Sequence, residues 1–92
     1  MSQQPLEHFI QQAETQLDQV VDSGTDDELF IASYLHGHFS LIASQALNSE
    51  KADVATLDAL LTNNLNDAFA QNELEPEDQK KVMTLWQSLL DA

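Results

Sequence analysis

The stretch Thr25–Leu47, TDDELFIASYLHGHFSLIASQAL, decides the fold of this chain. It opens with a helix start, because Thr25 and Glu28 have the spacing of a capping box. In that motif the Thr hydroxyl accepts from a first-turn backbone N–H, and the Glu carboxylate accepts from the backbone N–H of the Thr. Asp26 and Asp27 add negative charge at the positive end of the helix dipole. Three adjacent acids on one turn point in different directions, so helix initiation explains them better than a metal site does.

The remainder of the stretch carries a broad apolar arc. At about 100° per residue, the arc spans roughly 200° of the helix surface, which is wider than a surface helix needs. Its members are Phe30, Ile31, Tyr34, Leu35, His38, Phe39, Leu41, Ile42 and Ala46. The pattern predicts a long, largely buried helix that touches at least two neighbours.

Small residues follow one another on the other side of this helix, at i, i+4, i+7 and i+11. They are Ser33, Gly37, Ser40 and Ser44, called here the small-residue strip. His36 and Leu29 border it. Such a row lets another backbone approach closely, although a solvated polar face is the commoner explanation in water. Gly37 in mid-helix costs about 1 kcal/mol relative to alanine, which suggests a packing reason for it.

The histidines of the HGH segment do not form a metal pair. His38 lies within the apolar arc, and we expect a core residue with one hydrogen-bond partner. His36 lies on nearly the opposite side of the helix. Two histidines that share a metal on a straight helix need the i, i+4 spacing instead.

Composition limits the class of protein. The chain has 92 residues, no cysteine, no arginine and a net charge of −13. We predict one helical domain over residues 1–92, without disulfides or thiolate metal sites. The charge repels phosphate backbones and anionic lipid, so we predict neither nucleic-acid nor membrane binding. No apolar run reaches membrane-spanning length and no signal peptide is evident, so we expect a cytoplasmic protein.

Three further helices surround the central one. The first begins near Pro5 and ends at Ser23-Gly24, where Gly24 is able to take the left-handed cap conformation. The third follows a cap at Asp53, and the fourth begins at Pro76. Trp86 in the fourth is predicted to anchor the core. Short joints between four helices predict an all-α fold, a compact antiparallel four-helix bundle.

Two segments of the chain resemble the YfcL protein family of gammaproteobacteria. They are DDELFIASYLHGHFSL at Asp26–Leu41 and LEPEDQKKVMTLWQSLL at Leu74–Leu90. The residues that carry the resemblance are Asp26, Asp27, Glu28, Leu29, Phe30, Tyr34, Leu35, Gly37, His38, Pro76, Asp78, Gln79 and Trp86. The chain departs from the family pattern at Glu75, where a hydroxyl cap is expected, and at His36, where a more basic residue is expected. The resemblance implies a small acidic helical protein, and it brings no established activity and no catalytic or binding residue.

The sequence favours an interaction protein over an enzyme. It has no glycine-rich loop, no HExxH and no Ser-His-Asp spacing, so we predict no catalytic residue, no metal site and no cofactor. The leading hypothesis is a non-enzymatic protein-interaction module that binds an unknown protein partner or itself. Its candidate surface is Asp26, Asp27, Ser33, His36, Gly37, Ser40 and Ser44. Structural roles are predicted for Thr25, Glu28, Tyr34, His38, Pro76 and Trp86.

Two other functions remain open at this point. His38 and Tyr34, with a carboxylate from a neighbouring helix, have the chemistry to bind a small ligand or a divalent metal. Alternatively, the carboxylates imitate the phosphates of a nucleic acid for a basic DNA-binding partner.

Overall fold

The computed structural model describes residues 4–91, with side chains from Leu6 onward, and contains four α-helices and no strand in that range. They are α1 (Gln4–Ser23), α2 (Asp26–Leu47), α3 (Val54–Ala70) and α4 (Pro76–Asp91). The all-α four-helix architecture predicted from the sequence is confirmed. Residues 1–3 and 92, at the two ends of the predicted domain of residues 1–92, lie outside the described part of the chain.

Local capping explains where the helices start. At α2 the hydroxyl of Thr25 accepts from the backbone N–H of Glu28 at 3.2 Å, and the Glu28 carboxylate accepts from the backbone N–H of Thr25 at 3.0 Å. At α3 the Asp53 carboxylate accepts from the backbone N–H of Thr56 at 2.8 Å, and this bond lowers the pKa of Asp53. Each cap satisfies a backbone donor that has no partner within the helix.

The joint between α1 and α2 consists of Gly24 and Thr25. Gly24 does not adopt the left-handed conformation that the sequence allowed, since its φ is not positive. Gly24 is needed for space instead. Its backbone N–H donates to the carbonyl oxygen of Val20 at 2.7 Å, and a Cβ at position 24 would lie 2.5 Å from that same oxygen.

Helix α2 packs against all three other helices. The two-residue joint turns α1 back along α2, and His38 of α2 meets Asn64 of α3 on another side. The N-terminal half of α4 meets the start of α2, because the Lys81 ammonium lies 2.6 Å from the Asp27 carboxylate. Helix α2 therefore lies at the centre of the helical bundle, as expected for a long helix that touches at least two neighbours.

The core closes around Trp86, whose exposed fraction is 1%. Its ring centroid lies 5.8 Å from that of Phe39 in α2 and 5.9 Å from that of Phe9 in α1. The indole N–H donates to the Asp58 carboxylate of α3 at 2.8 Å. One side chain of α4 thus contacts every other helix. The other large, fully buried side chains are Leu6, Leu17, Leu35, Phe39, Leu57, Leu61, Leu65 and Val82.

The buried face of α2 is rotated from the predicted arc. Seven of its residues are buried, more than in any other helix among the described residues: Ile31, Ala32, Leu35, Phe39, Ile42, Ala43 and Ala46. The arc was wrong at one edge, because Phe30 and Leu41 are 48% and 58% exposed. Ala32 and Ala43, which the arc left out, are buried instead. They lie on the side of α2 that faces α1, where short side chains allow a helix to pack closely.

Candidate functional site

The small-residue strip faces away from the bundle. Ser33, Gly37, Ser40 and Ser44 are all exposed. Among the described residues, a Cβ at Gly37 would meet no atom within 4 Å beyond its chain neighbours and the adjoining backbone of α2. No other helix in residues 4–91 comes within 4 Å of this position, so the packing reason suggested by the sequence is not found within the described bundle.

Apolar side chains flank the strip on both sides. Phe30 and Leu41 are seven residues before and four after Gly37, so they lie next to it around the helix. Leu29, 37% exposed, lies on the other edge. Only four large hydrophobic residues among those described are exposed to this degree, and three belong to this surface. We call it the outward face of α2: Leu29, Phe30, Ser33, Gly37, Ser40, Leu41 and Ser44.

The charged residues predicted for this surface are spread around α2. Asp26 is exposed and precedes the strip by two helical turns, in line with it. His36 lies on the α1 border, where its Nε2 is 3.8 Å from the Glu14 carboxylate. Asp27 points instead toward α4, and its hydrogen bond with Lys81 raises the pKa of that lysine. The structure thus places Asp26 in line with the strip, His36 on its α1 border, and Asp27 on the opposite border, where it is paired with Lys81.

A polar cluster borders the same face on the α3 side. The Tyr34 hydroxyl donates to the Glu73 carboxylate at 2.9 Å, and the Tyr34 and His38 ring centroids are 4.6 Å apart. His38 Nδ1 lies 2.6 Å from the Asn64 side-chain oxygen, which can only accept, so Nδ1 carries the hydrogen. His38 Nε2 is then left to face Glu73 at 4.0 Å, and a full ion pair forms only when the imidazole is protonated.

Burial and Glu73 together shift the titration of Tyr34. Burial of the phenol, its hydrogen bond to Glu73 and the negative charge of Glu73 raise its pKa to about 12. The Phe69 ring stacks on the other side of Tyr34, with centroids 6.4 Å apart. The phenol therefore stays protonated and acts as a hydrogen-bond donor at neutral pH.

The carboxylate of this cluster comes from a loop, and the expectation of a neighbouring helix was wrong. Helix α3 ends at Ala70, and Asn72 then takes a left-handed conformation with φ of 62°. Asparagine tolerates this region better than most residues. The turn brings the next residue, Glu73, back toward α2. An asparagine just after a helix is the one sequence signal that could have indicated this return.

The arrangement has limited capacity for a metal. His36 and His38 face different helices, α1 and α3. Within residues 4–91 no three His, Cys, Asp or Glu side chains come together in a group able to hold an ion. His38 and Glu73 supply two such ligands, and Tyr34 supplies an oxygen of another type.

A separate groove lies between α2 and α4, with Val20 of α1 also in its lining. It has a volume of about 460 Å³, and its apolar walls include Val20, Ile31 and Leu85. Lys80 and Lys81 line one end, but Asp27 and Glu28 lie on the same groove. The lining therefore has no net charge, and the groove does not overlap with the outward face of α2.

Comparison with known proteins identifies relatives of the chain. The family described as YfcL protein matches residues 7–91. A protein of Escherichia coli (strain K12), described as uncharacterized protein YfcL, is 32% identical over 73 residues, which cover 79% of each chain. No solved structure matches the chain. None of the helices in residues 4–91 has the length and the hydropathy that crossing a bilayer requires.

Proposed function

The chain belongs to the YfcL family, and from that premise we propose that it is a non-enzymatic protein-interaction module of the cytoplasm. We propose the outward face of α2 as its docking surface. The relatives bring no activity with them, so the proposal rests on the geometry of this chain.

The exposure of Phe30 and Leu41 carries the proposal. Both side chains stand beside Gly37, where open space replaces a side chain. Full burial of a Leu or Phe side chain contributes about 1.5–3 kcal/mol, so covering these half-exposed groups contributes roughly 1–2 kcal/mol each. Apolar anchors separated by whole helical turns are what a docked helix uses. A partner that covers this face removes apolar surface that the bundle itself leaves in water.

Site-specific photocrosslinking in the native cell tests the proposal. A photoreactive residue at Leu41 should give a discrete adduct with a protein, identified by mass spectrometry, and Phe30→Asp should reduce its yield. The matched control carries the same group at Gln87, which is exposed on α4, the helix that packs on the buried side of α2. Equal adducts at both positions, or none at Leu41, would contradict docking at the outward face.

The polar cluster supports a second candidate, a small-ligand or divalent-metal site. The supporting observation is that Glu73 meets both Tyr34 and His38. Calorimetric titration with zinc, nickel and manganese tests it. A site there gives saturable heat that His38→Gln removes and His36→Gln leaves intact, and the absence of saturable heat excludes the metal version.

A further inference from the structure

We infer that the outward face of α2 binds a basic amphipathic helix of another protein, and not a second copy of this chain. The inference rests on the proposed function, because it names the partner of the same surface. It follows from the charges that border the face and from the shape of the face itself.

Acidic side chains surround the outward face. Asp26 lies in line with the small-residue strip at its N-terminal end. Glu14, held against His36, lies on the α1 border, and Glu73, held against Tyr34, lies on the α3 border. The side chains of Glu14 and Glu73 remain 44% and 45% exposed, so both can reach a ligand. Negative charge therefore flanks the apolar strip along both sides.

The lysines of the chain do not neutralise these acids. Lys80 and Lys81 are on α4, which packs against the buried side of α2 through Trp86 and Phe39. Lys51 follows α2, in the connection to α3. Lys81 is already paired with Asp27 at 2.6 Å, so its charge does not offset Glu14, Asp26 and Glu73, and the face presents an apolar centre between two acidic edges.

This charge pattern selects the partner. Two copies of a chain of net charge −13 repel one another, and pairing their outward faces would bring acidic edges together without counter-charges. A helix with Lys or Arg on both flanks of an apolar stripe is complementary in sign along each edge. Attraction between opposite charges also raises the rate of association, and this effect weakens as salt is added.

The shape of the face selects a helix. Gly37 and the serines leave a shallow channel, with Phe30 and Leu41 on one edge and Leu29 on the other. A channel of small residues admits the ridge of side chains of a second helix at close range. The partner stripe is therefore expected to carry apolar side chains at i, i+3 or i+4, and i+7.

Three labelled helical peptides test the inference by fluorescence anisotropy across a sodium chloride series. The probe carries a Leu/Ala stripe with lysine flanks, the second peptide keeps the stripe with glutamate flanks, and the third scrambles the probe sequence at constant charge. The probe should bind at least about tenfold more tightly than the scrambled peptide. An affinity ratio of this size is within the range that ordinary contacts contribute. The acidic peptide should not bind.

Protein variants separate docking from plain charge attraction. Leu41→Asp makes the face more acidic, yet it should weaken binding of the probe about tenfold or more because an apolar anchor is lost. The double variant Glu14→Gln, Glu73→Gln should weaken binding of the probe and reduce the dependence of that binding on salt. The control Glu77→Gln, on the exposed side of α4, should change neither. Circular dichroism confirms that each variant is folded.

The outcomes distinguish this inference from the proposed function. Equal binding of the probe and its scrambled form, or no effect of Leu41→Asp, overturns the inference. A wild-type dimer in light scattering that Leu41→Asp dissociates overturns it in favour of a second copy. In either case a Leu41 photoadduct leaves the protein-interaction function standing, whereas its absence removes the proposed function itself.

Discussion

Replacing the two glycines of this chain with alanine is expected to change stability in opposite directions. Gly37 lies in mid-helix, and an added Cβ would meet no atom within 4 Å in the described part of the chain beyond the adjoining α2 backbone. Alanine there restricts the unfolded chain and suits the helix, which together stabilise by about 1 kcal/mol. For a domain of this size, that free energy raises the melting temperature by roughly 4–8 °C.

Gly24→Ala should have the opposite effect. The new Cβ would lie 2.5 Å from the carbonyl oxygen of Val20 and 3.1 Å from the Cβ of Glu28. The first contact involves backbone, so the α1–α2 joint itself must move. We expect a loss of about 1–3 kcal/mol, within the usual range for a destabilising point substitution.

Urea unfolding, followed through the fluorescence of the one tryptophan, measures both changes. Ser40→Ala is the matched control for Gly37→Ala, because it is exposed on the same face and its expected gain is only about half as large. A lower midpoint for Gly37→Ala would show that something covers that position. Equal shifts for both glycine variants would show that the space around them does not govern stability.

Three further predictions follow from the polar contacts and the charge. The absorbance of Tyr34, the one tyrosine, should report a native midpoint near pH 12, against about 10 in denaturant, and Glu73→Gln should lower the native value. Because the pKa of Tyr34 is raised on folding, its contribution to stability is complete below about pH 10 and is lost as the pH rises toward 12. A native midpoint near pH 10 would contradict the contact with Glu73. Asp58→Ala should destabilise by about 1–3 kcal/mol in urea, because it removes the acceptor of the buried Trp86 N–H, and an unchanged midpoint would show that this bond is unimportant. Moderate sodium chloride should raise the melting temperature by screening the net charge of −13, and a flat or falling series would contradict self-repulsion.

Features that depend on a few neighbouring residues could be predicted from the sequence. The capping box of Thr25 and Glu28 needs residues three apart on one turn, so the sequence contains all of its partners. The start of α4 at Pro76 follows from the fixed φ of proline in the same way. Helix periodicity with short joints then limits the fold to a bundle, and the four-helix prediction is confirmed.

Features that depend on distant elements could not be predicted. The apolar arc of α2 is wider than the surface its neighbours cover, and periodicity does not say which edge they leave open. The packing of the other helices decides that Ala32 is covered and Leu41 is not. Glu73 reaches Tyr34 from a loop 39 residues later in the chain. The geometry of the turn at Asn72 fixes this approach, and the spacing of acids along the sequence does not reveal it.

The position of Trp86 bears on how the protein is made. It belongs to the last of the four helices to leave the ribosome, yet it contacts side chains from the other three. A nascent chain that has produced α1, α2 and α3 lacks the ring that packs against Phe9 and Phe39. Such a chain cannot complete its interior, so the final bundle assembles only after α4 has emerged from the ribosome.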